Sequence, residues 1–196
     1  MKNLFFSSLL TLVTLFIVSC SGDDAGAPIK PVIDLVDENL VGKWKLTNFE
    51  VSNGTVDLKV DETTIEIPFT TEGSEFNTTA LFETTPNKVT FDGTFKANTN
   101  FVTPLMINQP TTREDTFESS KILGGTSTLN DWSISEGDSV IAGSKAEIIK
   151  FTKNEIQYKL DIAQTSFISI IEEGFDLNGF TTTNPKGQII VTLEKI

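Results

Sequence analysis

Histidine is missing from all 196 residues, and with it go the commonest general base and the commonest metal ligand. Triads and zinc sites built on imidazole are excluded. Cysteine occurs once, at Cys20, so no disulfide can form within the chain and stability must come from the core. Positive charge is scarce too: 15 basic residues face 27 acidic ones, the one arginine is Arg113, and the net charge is −12. That field repels phosphate backbones and anionic head groups, so nucleic acid is not an expected partner. Long apolar runs are also few. The longest, Leu4 to Val18, falls short of the roughly 20 residues that a spanning helix needs.

That run follows a single positive charge at Lys2 and closes on Ser19 and Cys20, the layout of a secretory signal. Its last four residues, Ile17-Val18-Ser19-Cys20, resemble the lipobox of bacterial lipoproteins. The resemblance implies cleavage before Cys20 and lipid on its thiol, which accounts for a lone cysteine. Three segments follow: a signal over 1–19, the lipidated cysteine and a tether over 20–36, and one domain over 37–196. The tether is short of large apolar residues at first and carries Pro28 and Pro31; flexible chain of that length spans on the order of 20 Å. Asp23-Asp24 is similar to the acidic stretch that, in some Gram-negative lineages, directs lipoproteins to the outer face of the outer membrane. The expected address is therefore the outer membrane, reached through lipid on Cys20, with the periplasmic or the surface-exposed side left open.

From Lys43 onward no long stretch carries apolar residues at helical spacing, whereas short runs rich in Val, Ile, Thr and Phe recur between turn residues. These predict strands at 44–51, 55–60, 64–70, 76–84, 88–96, 100–107, 129–135, 146–152, 155–163 and 187–195. Asn53-Gly54 predicts a tight hairpin turn pairing 44–51 with 55–60. Residues 88–96 read either as one strand, with Val89, Phe91 and Phe95 on one face, or as a hairpin turning at Asp92-Gly93. Segment 165–186 reads as a long loop before the last strand. With no βαβ rhythm, the fold class is all-β, an antiparallel barrel or sandwich.

Four stretches resemble the lipocalin-like domain of bacterial lipoproteins, in the expected order. They are Leu40-Val41-Gly42-Lys43-Trp44-Lys45-Leu46, Val89 to Phe95, Asp131-Trp132-Ser133-Ile134, and Ile148 to Ile156. The resemblance implies an up-and-down β-barrel of about eight to ten strands, with Gly42 and Trp44 structural at the start of the first and an interior able to hold a small ligand. In lipocalins proper an arginine near the last strand packs across that tryptophan; here the C-terminal strand offers Lys195. Stretch 100–125 has no counterpart in the family.

Other chemistries find little support. Asp61-Glu62 and Glu172-Glu173 are adjacent carboxylates, but neighbours on a strand point to opposite faces. Asp176-Leu177-Asn178-Gly179 lacks the further ligands of a calcium loop, and Gly124-Gly125-Thr126 lacks the lysine of a phosphate loop. No catalysis, metal or cofactor is expected. The phenylalanines either line a pocket or fill a core, and their volume favours core. The function expected is non-enzymatic binding of a small apolar or amphiphilic ligand in the barrel, at Val89, Phe91 and Phe95. The alternative is an accessory or interaction subunit with an envelope protein as partner.

Overall fold

Along Lys88–Phe101 the odd-numbered residues Val89, Phe91, Phe95, Ala97, Thr99 and Phe101 are buried and Thr90, Asp92, Asn98 and Asn100 are exposed. A period of two with one apolar face gives a strand that covers a core. The computed structural model describes residues 36–102, 112–124, 130–169 and 181–196, and there that pattern builds eight strands. They are β1 (Gly42–Val60), β2 (Thr63–Glu83), β3 (Lys88–Phe101), β4 (Thr112–Glu118), β5 (Ser139–Ile141), β6 (Ser144–Phe151), β7 (Glu155–Asp161) and β8 (Thr181–Lys195). All lie in one antiparallel sheet in the order β4-β3-β2-β1-β8-β7-β6-β5. Chain neighbours other than β4 and β5 pair with one another, and β8 returns to pair with β1.

The all-β, up-and-down expectation holds, with one difference from a closed barrel. Among the described residues no ladder joins β4 to β5. Segment 131–133 spans part of that gap through two single bridges, Lys88 to Asp131 and Ser133 to Val140. The amide of Val89 donates to Asn130 O at 2.7 Å, and that of Gly143 to Asp131 O at 3.0 Å.

Several strand boundaries differ from expectation. Asn53-Gly54 is not a hairpin turn, and 44–51 does not pair with 55–60. Asn53 does take a positive φ of 51°, but as a register shift inside β1, and the chain turns at Asp61-Glu62 instead. Those two carboxylates therefore sit in an exposed turn. Strand 88–96 runs straight through Gly93 to Phe101, and 64–70 joins 76–84 across a bulge between Ser74 and Asn77. Two strands, β4 and β5, escaped the pattern, and 129–135 supplies only bridges. The strand expected at 155–163 ends at Asp161, where residues 162–164 form a 3-10 turn, and in the predicted loop 165–186 residues 181–186 already belong to β8. Signal 1–19, Cys20, tether 20–35, Glu172-Glu173 and Asp176 to Gly179 lie outside the described residues.

At one end of the sheet Trp44 is fully buried. Its Nε1 donates to Leu40 O at 2.6 Å, on a short helical turn, and its ring meets Phe82 edge-on at 6.4 Å. Gly42, at φ 125°, lets β1 start beside Lys195, whose Cε would stand 3.3 Å from any Cβ placed there. Lys195 Nζ lies 5.2 Å from the centre of the Trp44 ring and donates to Asn39 O at 2.8 Å. A lysine on the last strand thus caps the buried indole by a cation–π contact.

Candidate binding site

The inner face of β2, β3 and β4 is layered, and register fixes the order of the layers. Nearest the Trp44 end, Phe82 pairs with Val89 and Ala80 with Phe91. Trp132 joins there edge-on to Phe82 at 6.2 Å, its Nε1 donating to Glu83 O at 2.9 Å. Next comes an aromatic layer. Phe95 lies 4.8 Å from Phe49 and 5.6 Å from Phe117, and Phe167 closes the group at 5.7 Å from Phe49 and 5.3 Å from Phe117. Every described phenylalanine except the partly buried Phe76 belongs to the buried core.

Beyond the aromatic layer the inner face turns polar. Thr71 Oγ1 and Thr99 Oγ1 share a hydrogen bond of 3.0 Å in a buried position. Across from them, Thr99 pairs with Arg113 and Ala97 with Asp115. Arg113 donates from Nε and Nη2 to Asp115 Oδ1 at 2.8 and 2.5 Å. Last, Phe69 and Phe101 pair across β2 and β3 with ring centres 5.6 Å apart.

Phe69 and Phe101 border an open pocket of about 610 Å³, formed by residues 53–55 of β1, 68–70 of β2 and 100–102 at the end of β3. Its apolar side comes from Pro68, Phe69, Phe101 and Val102, and its polar side chains are the amides of Asn53 and Asn100 and the hydroxyls of Thr55 and Thr70. No charged residue lines it. Asn100 Oδ1 accepts from Thr112 Oγ1, and Val102 N donates to Pro68 O at 2.9 Å, which fixes the rim.

The predicted ligand residues Val89, Phe91 and Phe95 do share the inner face and are 1%, 5% and 1% exposed. None of them lines the pocket, and Phe95 is surrounded by the rings of Phe49, Phe76 and Phe117. Sequence reasoning missed the pocket because its parts come from three separate stretches: Asn53-Gly54 reads as a turn, Pro68 falls inside the strand expected at 64–70, and residues 100–102 read as the start of another strand.

Two titrations are displaced. Burial pushes the Tyr158 phenol far above its ordinary value, and its hydroxyl has no hydrogen-bond partner. Lys96, on the surface, is held above its ordinary value by its hydrogen bond to Glu75 and by the charge of Glu114. Among the described residues no group of three or more Cys, Asp or Glu could hold a metal, and no helix is long and apolar enough to cross a membrane.

These features define an eight-stranded, antiparallel up-and-down β-sheet domain with an aromatic interior and an uncharged pocket at one rim. Comparison with protein-family models, with curated proteins and with solved structures gives no match.

Proposed function

We propose that this protein is a lipid-anchored, non-enzymatic binding protein of the cell envelope, held at the outer membrane through Cys20, whose small apolar or amphiphilic ligand enters the rim pocket and not the aromatic interior. One observation carries the reading: a volume of about 610 Å³ with an uncharged, largely apolar lining, beside an inner face already occupied by rings. Burying about 200 Å² of ligand tail there would contribute about 5 kcal/mol, before the cost of association is subtracted. Affinities no tighter than about 0.2 mM follow from that tail alone.

A second reading, docking of an envelope protein, draws on apolar residues left open: Val102 is 72% exposed and Ile65 46%. Titration of the neutral dye Nile red into the full chain separates the two. Thr70 is exposed on the pocket rim, so Thr70→Trp fills the pocket with little change in stability and should abolish saturable binding. Phe95→Leu should cost on the order of 1 to 3 kcal/mol in urea melts and leave dye binding unchanged. Absence of saturable binding by the wild type would set the ligand reading aside in favour of the docking module.

A further inference from the structure

Alternation along β2 and β3 sets the borders of the rim pocket. Phe69 and Phe101 point into the core, at 1% and 5% exposed, whereas Pro68, Thr70, Asn100 and Val102 alternate with them on the outer face. Register sorts the outward residues into two rows. Thr70 pairs with Asn100. On β1 the register slips between Val51, which pairs with Thr71, and Gly54, which pairs with Phe69, so that Ser52 and Asn53 both stand opposite Thr70. A bulge of this kind re-aims a side chain, and Asn53, at φ 51°, is exposed and lines the pocket. The first row is therefore amide, hydroxyl, amide: Asn53, Thr70 and Asn100 on three adjacent strands. Beside it the second row is apolar, Pro68 and Val102, joined by the bond from Val102 N to Pro68 O.

The polar row is uncommitted. Asn53 and Thr70 make no side-chain hydrogen bond among the described residues, and Asn100 uses only Oδ1, accepting from the Thr112 hydroxyl, which leaves its N–H donors open. Neighbouring strands lie about 4.8 Å apart, an interval comparable to that between hydroxyls on opposite sides of a six-membered sugar ring. Amides and hydroxyls both donate and accept, as the hydroxyls of a ligand do; an ammonium only donates and a carboxylate only accepts. An ionic head would also lose water here with no counter-charge to replace it, because no charged residue lines the pocket. We propose that the amphiphile taken by this pocket has a neutral, hydroxyl-rich head, as in a glycoside, seated on the polar row with its alkyl tail along Pro68 and Val102. The inference rests on the pocket reading above and deepens it by naming the head group.

Isothermal titration of the full chain at neutral pH tests this with octyl β-D-glucoside, octylammonium, octanoate and the tailless methyl β-D-glucoside, each below its micelle-forming concentration. Octyl glucoside should bind at least about tenfold tighter than either ion, although a net charge of −12 by itself favours the cation. Methyl glucoside should bind at least about tenfold more weakly than octyl glucoside. Asn100→Leu keeps the size of the side chain and removes its amide. It should weaken octyl glucoside by about threefold to tenfold, the equivalent of one hydrogen bond, and leave octylammonium unchanged. Thr70→Val removes the neighbouring hydroxyl at constant shape and should act likewise, which decides the matter should Asn100→Leu fail to fold. Tightest binding of octylammonium would show general attraction to an acidic surface and overturn the proposal. Equal binding of the three octyl compounds overturns it too, while leaving the pocket reading intact. Methyl glucoside binding as tightly as octyl glucoside overturns the amphiphile in favour of a free sugar, and no binding of any of the four removes both readings.

Discussion

Tyr158 is the one tyrosine of the chain and lies fully buried on the inner face of β7, its hydroxyl without a partner. Burial raises its pKa, so below the ordinary value of 10.0 the phenol is neutral in folded and unfolded chains alike and contributes no pH dependence. Above that value the unfolded chain releases the proton and the folded chain keeps it. Stability is therefore lost as pH rises, by about 1.4 kcal/mol for each unit above the unfolded pKa. Tyr158→Phe should leave stability at pH 7 within about 1 kcal/mol of wild type, because the hydroxyl it removes is unsatisfied. By pH 11 the variant should be the more stable by roughly 1.4 kcal/mol in urea melts. Tyrosinate absorbance of the wild type should appear only on unfolding; its appearance in the folded protein would show the phenol open to solvent. At this scale Trp44 was legible, since a Gly-x-Trp opening a strand fits a buried plug. Tyr158 was not, because nothing in Glu155-Ile156-Gln157-Tyr158 says whether a phenol in an apolar row finds a partner.

Gly93 shows what an element asks of one residue. It sits inside β3 at φ 96°, opposite the bulge of β2, and a Cβ there would stand 2.1 Å from Asn77 O. Its own carbonyl accepts from Ser119 Oγ at 2.8 Å, so the backbone cannot easily withdraw. Gly93→Ala should cost roughly 3 kcal/mol, from left-handed strain of about 1 to 2 kcal/mol and from overpacking of similar size. Gly137, at φ 78° with nothing within 4 Å, isolates the first contribution, and Gly137→Ala should cost only about 1 kcal/mol. Equal losses in thermal or urea melts would mean that the close approach in β3 relaxes freely. The same strands explain what could be read in advance. β3, β6 and β7 alternate apolar and polar residues and were legible. β4 was hidden because Arg113 and Asp115 take inward positions where the pattern demands apolar residues, so the strand reads as a charged loop. The start of β8 was hidden by Asn184-Pro185 and Gly187; β7 pairs with β8 only from Gln188 onward, and a proline is tolerated where the strand has a neighbour on one side alone.

At the scale of the whole molecule, the charge of −12 keeps the domain off anionic surfaces, so association with a membrane falls to the N-terminal cysteine in the proposed reading. Cys20→Ala should move the protein from the membrane fraction to the soluble fraction of the envelope; recovery with the membrane as firmly as wild type would remove the anchor. The sheet itself has a consequence in time. Its first strand pairs with its last, and the bond from Lys195 to Asn39 spans 156 residues of chain. Sheets dominated by such distant pairings fold in milliseconds to seconds once complete, whereas synthesis of 196 residues at ribosomal rates takes about 10 to 40 s. From the completion of β2 at Glu83 until β8 is made, β1 has only β2 beside it, and the indole of Trp44 waits for Lys195. The nascent chain thus stays pliable until β8 emerges, and the order of synthesis acts as a latch on when the domain can become rigid.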